Sequence, residues 1–253
     1  MKNNEITIDQ ARRVLEVVDA GLCVGLGNPV PGQMCIEAAV CYALGQPHSD
    51  EPECVHNAVR AFKIPLNDSL WSSNEARAQG MRRLAIAQLG TDDKSFDSKK
   101  FIEVLIEQTI RKIVPRALRA SIKGLKSGAR RSALEEAAVR CERDGDLAAA
   151  ERALSAAVAA AGRGLVGWDL VATHAANAAG FVDAAAANAA YAATKDAAAN
   201  AAYAAAANAA NAAGFASPDA ADVVLQVSAD IGVHALRAAG AHGIKLMDQL
   251  IPA

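Results

Sequence analysis

Large aromatic side chains are scarce in this chain, since Phe, Trp and Tyr make up only 4% of its residues. Such side chains normally anchor a hydrophobic core. Hydrophobic residues nevertheless account for 52% of the 253 positions, and many of them are alanine. The chain is therefore long and apolar enough to form a full core or two subdomains, whose stability must come from many close contacts between small side chains.

The chain also lacks a disulfide framework, a secretion signal and a long apolar run. Its cysteines form an odd set of five without a C-x-x-C pair, namely Cys23, Cys35, Cys41, Cys54 and Cys141. The N-terminal sequence MKNNEITIDQ has no apolar segment, and no uninterrupted apolar run approaches the ~18 residues of a membrane span. These absences predict a cytoplasmic protein that does not contact a membrane.

Positive charge is nearly absent from the last third of the chain. The formal net charge is −2, and only Lys195, Arg237 and Lys245 are basic after residue 163. This slightly negative net charge argues against a protein that binds polyanions over its whole surface. A local basic patch is still compatible with such a net charge.

Helix signals follow one another along the chain. Thr7-x-x-Gln10 has the form of a capping box that opens a first helix. Pro52 suits the first turn of a helix that would run to about Lys63. The apolar residues between Phe101 and Ile113 recur at the 3.6-residue spacing of an amphipathic helix. The sequence therefore predicts an all-α protein.

Two subdomains are predicted from the segment KSGARRS, because a basic, glycine-containing stretch suits a linker. We expect an N-terminal helical subdomain over residues 1–128 and an array of Ala-rich antiparallel helical hairpins over residues 129–253. The first hairpin would turn at Asp144-Gly145-Asp146. Near the end of the chain, a helix starting at Ser217-Pro218 would bury an apolar stripe of Val223, Val224, Val227, Ile231 and Leu236.

The most distinctive segment is an alanine tract, residues 175–216, in which 26 of 42 positions are Ala and AANAAGF occurs twice, 34 residues apart. Alanine has the highest helix propensity but buries little apolar area, so such helices must pack closely. Asp183 and Asp196 each suit an N-cap, which predicts two antiparallel helices. One continuous helix over residues 183–213 is the alternative.

The alanine tract carries two pairs of larger side chains. Asn188 lies three residues before Tyr191, and Asn200 lies three residues before Tyr203, so each pair shares a helical face. Because these side chains stand out from a methyl-lined surface, we take all four as candidate partner-binding residues.

The repeated AANAAYAA-type helices resemble the Ala-rich helical C-termini of a class of bacterial immunity proteins. The resemblance is compositional and covers about residues 172–216. It implies binding to, or neutralisation of, another protein. This chain carries Asn where His is frequent in that class, so no functional residue is transferred from it.

A basic stretch provides a second candidate site. Eight Lys or Arg and no acidic residue occur between Gln108 and Leu134, and one helical face would carry Lys112, Arg116, Arg119 and Lys123. Such a face could bind phosphates of a nucleic acid or another polyanion. The alternative is a solvated face that pairs with the glutamates of the neighbouring hairpin.

A segment rich in cysteine and histidine provides the third candidate. His48, Cys54 and His56 could converge across a turn as metal ligands or as an activated thiol. Cys35 and Cys41 are six residues apart, about 240° around a helix, and so cannot share a metal on one helix. The alternative is a set of buried core cysteines.

The glycine-rich loop Gly25 to Gly32 precedes a helix in the manner of a phosphate-binding loop. Gln33 and Met34 stand where such a loop needs Lys and Ser or Thr. We therefore interpret this loop as a rigid connector.

These observations favour a non-enzymatic interaction protein that binds another protein or a second copy of itself, without a cofactor and without catalytic residues. The alternatives are a polyanion binder using the basic stretch and a metal- or thiol-dependent enzyme centred on the Cys/His segment.

Overall fold

The computed structural model describes residues 6–122, 128–161 and 218–252. In these ranges it is all-α, as the sequence predicts, and the nearest approach to sheet is a single antiparallel bridge between Gly27 and Met34. No helix in the described ranges has the length and apolarity to cross a membrane. The helices are α1 Ile8–Asp19, α2 Ile36–Ala43, α3 Asn57–Asn67, α4 Asn74–Ala87, α5 Ser98–Lys112, α6 Val114–Ile122, α7 Ala129–Asp144, α8 Leu147–Ala161, α9 Pro218–Ala238 and α10 Gly243–Leu250.

The chain divides into two compact units, and the division differs from the boundary predicted after residue 128. The first unit comprises Met1–Ile102 with Ala229–Ala253, and the second comprises Glu103–Ser228. The C-terminal end of the chain belongs to the first unit because α10 packs on α1 and α4. The basic linker thus lies inside the second unit.

In the first unit, α1 packs on α2 and α4. The predicted capping box opens α1: the Thr7 hydroxyl accepts a hydrogen bond from the Gln10 amide, and the Gln10 side chain accepts one from the Thr7 amide at 2.9 Å. α10 approaches α4 very closely, because a Cβ built on Gly243 would lie 2.2 Å from the Ile86 carbonyl oxygen. Only glycine permits this contact between the two backbones.

The second unit contains the predicted hairpin. α7 ends at Gly145, which has the left-handed conformation (φ 64°) that commonly closes a helix, and α8 follows two residues later. α7 packs on both α6 and α8. α8 turns its alanines inward, so that Ala149, Ala150, Ala153 and Ala157 are fully buried.

Two details of the helix prediction were wrong. α3 begins at Asn57, five residues after Pro52, and continues past Lys63 through Pro65. On α9, Val223 is 57% exposed and so does not belong to the buried stripe, whereas Val224, Ile231 and Leu236 are buried.

Candidate functional site

A fully buried ion pair lies at the centre of the first unit. The Lys63 ammonium on α3 is 2.7 Å from Oε2 of Glu37 on α2, and both side chains have no exposed surface. The same ammonium donates a hydrogen bond to the side-chain oxygen of Gln88, the residue that follows α4. One cation thus connects three helical segments of this unit.

Burial opposes the charge on both partners of this pair. Loss of solvation raises the pKa of Glu37 and lowers the pKa of Lys63, while the opposite charge of the partner acts against each shift. Glu37 Oε1 and the Gln88 amide nitrogen have no hydrogen-bond partner among the described residues. A buried acceptor without a partner is costly, so Oε1 is a point where a ligand or a water molecule would stabilise the protein.

A small cleft of about 40 Å³ opens beside this pair, between the glycine-rich loop, the start of α2 and the end of α3. Three carboxylates, one amide and three aliphatic side chains contribute to its wall. The lining residues are Gly25, Leu26, Cys35, Ile36, Glu37, Asp50, Ile64, Asn67 and Asp68. The cleft therefore combines negative charge with an apolar surface.

The glycine-rich loop is part of this cleft, and hydrogen bonds hold it in place. Cys23 and Met34 pair across it through a 2.9 Å backbone hydrogen bond, and the Asn28 amide donates to the Gln33 carbonyl at 2.8 Å. The Asp68 carboxylate holds the loop from α3 by accepting a hydrogen bond from the Gly25 amide at 2.8 Å.

The end of α3 fixes the same loop a second time. The Asn67 side-chain oxygen accepts from the Ile36 amide at 3.2 Å, and its nitrogen donates to the Cys23 carbonyl and to Asp68 at 2.8 Å each. The Arg77 guanidinium, buried on α4, donates to the carbonyls of Leu22 and Asn67. The cleft wall is therefore held in place by side chains whose polar groups are already engaged.

Of the three residues proposed for a metal or thiol site, His48, Cys54 and His56, the two histidines have separate local roles. His48 Nε2 donates to the Gly27 carbonyl at 3.1 Å. His56 Nδ1 accepts from the Ala58 amide and thereby caps α3, with its ring 5.5 Å from that of Phe96. Within the described ranges, no three His, Cys, Asp or Glu side chains form a group that could hold a metal ion.

The cysteines are free thiols and are not activated. Burial raises the pKa of all five, and it raises that of Cys41 to about 11. A thiol with a raised pKa holds little reactive thiolate near neutral pH. Cys35 has a structural role instead, since its sulfur accepts from the Ala38 amide and caps α2.

The basic stretch is partly neutralised. Arg119 donates hydrogen bonds to Glu135 and Glu142, which raise the pKa of its guanidinium, and it lowers the pKa of Glu142 in return. Lys112 and Arg116 are exposed. Lys123 lies outside the described residues. The proposed polyanion-binding face thus contains at least one cation that two carboxylates already occupy.

A neighbouring arginine of the same stretch has a capping role. Arg111 donates to the carbonyls of Glu142, Arg143 and Asp144, the last turn of α7, at 2.7 to 3.0 Å. Helix-terminal carbonyls have no partner within the helix, so these bonds should stabilise the hairpin.

We expect Arg111→Ala to lower the free energy of unfolding by about 1–2 kcal/mol, measured by urea denaturation. Arg131→Ala is the matched control, because Arg131 is exposed and its substitution should change the stability by less than about 0.5 kcal/mol. Equal stability of the two variants would contradict the capping role.

Four predicted partner-binding residues lie outside the described residues, namely Asn188, Tyr191, Asn200 and Tyr203. Residues 183–213 lie outside them too, so the choice between one helix and two stays a prediction.

Sequence reasoning did not single out Glu37, Lys63 or the cleft. One signal was present: Glu37 is the single charged residue in the apolar run MCIEAAVCYAL, where a charge suggests a buried partner.

Comparisons with protein-family models, with curated proteins and with solved structures find no match to this chain.

Proposed function

We propose that the protein is a non-enzymatic interaction protein of the cytoplasm, of a neutralising, immunity-like kind, which binds another protein or a second copy of itself through its Ala-rich helices. The larger contacts on this methyl-lined surface would come from Tyr191, Tyr203, Asn188 and Asn200. Aromatic side chains are the residues on which binding energy most often concentrates.

The packing of α8 supports this proposal. Four alanines of that helix are fully buried, and the helix packs on α7, whose Ala138 is also fully buried. Helices with such faces can approach at the short end of the ~8–10 Å range of interaxial distances. This chain therefore already uses alanine faces for helix packing, and a similar face in the tract could receive a partner helix in the same way.

The state of the thiols and of the Cys/His segment also favours binding over catalysis. The cysteines have raised pKa values, and His48 and His56 are engaged in hydrogen bonds that hold a loop and cap a helix. A nucleophile needs a neighbouring base or a lowered pKa, and the pKa values of these thiols are raised instead.

We expect the double variant Tyr191→Asp/Tyr203→Asp to lose association, because two buried carboxylates would be introduced into an apolar contact. Light scattering on the purified full chain measures self-association, and recovery of tagged protein from its native host measures binding to a partner. If a protein is recovered with the tagged wild type but not with the tagged variant, it should also bind the purified wild-type protein directly.

The matched control is Tyr42→Asp, because Tyr42 is the remaining tyrosine and is 45% exposed in the first unit. This variant should retain the association. If wild type and double variant have the same mass and the same bound proteins, the proposed role of the tract is wrong.

A further inference from the structure

We propose that the cleft beside the glycine-rich loop is a binding site for a primary alkylammonium group, such as the end of a lysine side chain. The site is formed where Asp50 and Asp68 stand at the edge of a pocket whose wall includes the buried Glu37 and three aliphatic side chains. This proposal concerns the first unit and does not depend on the alanine tract.

The three carboxylates of the cleft are hydrogen-bond acceptors. Asp50 is exposed and makes no hydrogen bond or ion pair with another described residue. Asp68 is exposed and its Oδ1 is fixed by the Gly25 amide and the Asn67 side chain. An ammonium group has three donors and no acceptor, so it matches such a set of carboxylates.

Glu37 provides an independent indication of a missing donor. Its carboxylate is completely buried, it belongs to the cleft wall, and its Oε1 has no hydrogen-bond partner among the described residues. Lys63 reaches the other oxygen, Oε2. A buried carboxylate oxygen without a donor is unfavourable, and the positive charge of a cation bound in the cleft would stabilise this carboxylate.

The sequence on either side of Glu37 supplies no basic residue that could act as this donor. Residues 14–59 contain no Lys and no Arg, whereas they include six acidic residues. Two cations act on Glu37: Lys63 binds Gln88 as well as Glu37, and Arg60 pairs with Glu51 and Asn57 through its terminal nitrogens. The cleft is thus a locally acidic site to which a ligand must bring the positive charge.

Size and apolar surface select the kind of cation. The cleft is small, about 40 Å³, and an ammonium is a more compact cation than a planar guanidinium with its five donors. Leu26, Ile36 and Ile64 would contact the methylene stem of the ligand. Lysine and simple alkylamines carry an ammonium on such a stem, and its apolar atoms gain from burial.

The test is a titration of the ¹⁵N-labelled full chain with n-butylammonium chloride, followed by amide spectra, with sodium chloride as a control for ionic strength. We expect saturable shifts of the Gly25, Leu26 and Asp68 amide signals, with a Kd on the order of millimolar as suits a ligand of five heavy atoms. n-Butanol, which has the same stem without the charge, should bind at least about tenfold more weakly.

Two variants separate the site from general surface charge. Asp50→Asn should weaken n-butylammonium binding about fivefold, because it removes one carboxylate from the cleft at little risk to folding. Glu53→Gln removes an exposed charge that is not part of the cleft wall and should leave Kd within about twofold. Equal weakening by both variants would show a non-specific effect and overturn the proposal.

A second ligand identifies the source of the ammonium group. The peptide acetyl-Ala-Lys-Ala-amide should bind more tightly than n-butylammonium if the natural occupant is a lysine of a partner protein, and no more tightly if it is a free alkylamine. Its Nε-acetylated form, which has no charge, should not bind. Absence of saturable shifts with both ligands up to about 0.1 M would show that the proposal is wrong.

Discussion

Replacement of Lys63 by methionine is expected to lower the free energy of unfolding by about 3–5 kcal/mol at neutral pH. The substitution keeps a long apolar side chain but removes the charge that stands 2.7 Å from Glu37. A fully buried carboxylate would then remain without a counterion, and Gln88 would lose the donor to its side-chain oxygen. Urea denaturation followed by circular dichroism measures the loss.

The stability that Lys63→Met loses relative to wild type should depend on pH. Burial already raises the pKa of Glu37, and the charge of Lys63 opposes that shift, so its removal raises the pKa further. A group whose pKa is raised in the folded state stabilises the protein most below its unfolded pKa, about 4.3 for Glu, and loses that contribution as pH rises. The deficit of Lys63→Met relative to wild type should therefore shrink as the pH falls from neutral toward 5.

The double variant Glu37→Met/Lys63→Met provides the control. It removes both charges and both desolvation costs, so it should be much closer to wild type than Lys63→Met alone. If the single and double variants are equally unstable, lost packing and not an unpaired carboxylate accounts for the effect.

The all-α fold and several helix ends could be predicted from the sequence because local signals determine them. Thr7-x-x-Gln10 forms its capping box, and Gly145 adopts the left-handed conformation that ends α7. α3 was mispredicted because its cap is the imidazole of His56, a residue outside the usual capping types, while the Pro52 signal lies upstream.

Long-range features could not be predicted in the same way. α10 joins the first unit by packing on α1 and α4, which are more than 150 residues away in the sequence, and no local pattern encodes that contact. Glu37 and Lys63 are 26 residues apart on different helices. The isolated charge in an apolar run indicates that Glu37 needs a partner, but the identity of the partner follows only from the fold.

The glycine-rich loop should be intolerant of substitution at one glycine and more tolerant at another. A Cβ on Gly27 would lie 1.9 Å from the Gln33 carbonyl oxygen and 2.6 Å from the Cys23 sulfur, and the residue has φ +70°. We expect Gly27→Ala to lower the free energy of unfolding by about 3 kcal/mol or more, because overlap with the backbone adds to the ~1–2 kcal/mol of left-handed strain.

Gly25→Ala is the matched control for this prediction. Gly25 belongs to the same loop and has nearly the same conformation (φ +65°), but a Cβ there would have no atom within 4 Å. The control should therefore show the left-handed strain alone, about 1–2 kcal/mol. The difference between the two thermal or urea unfolding free energies isolates the contact between Gly27 and the opposite side of the loop. Equal losses would mean that the loop can move apart without cost, and a loop of that kind could not hold the cleft wall in place.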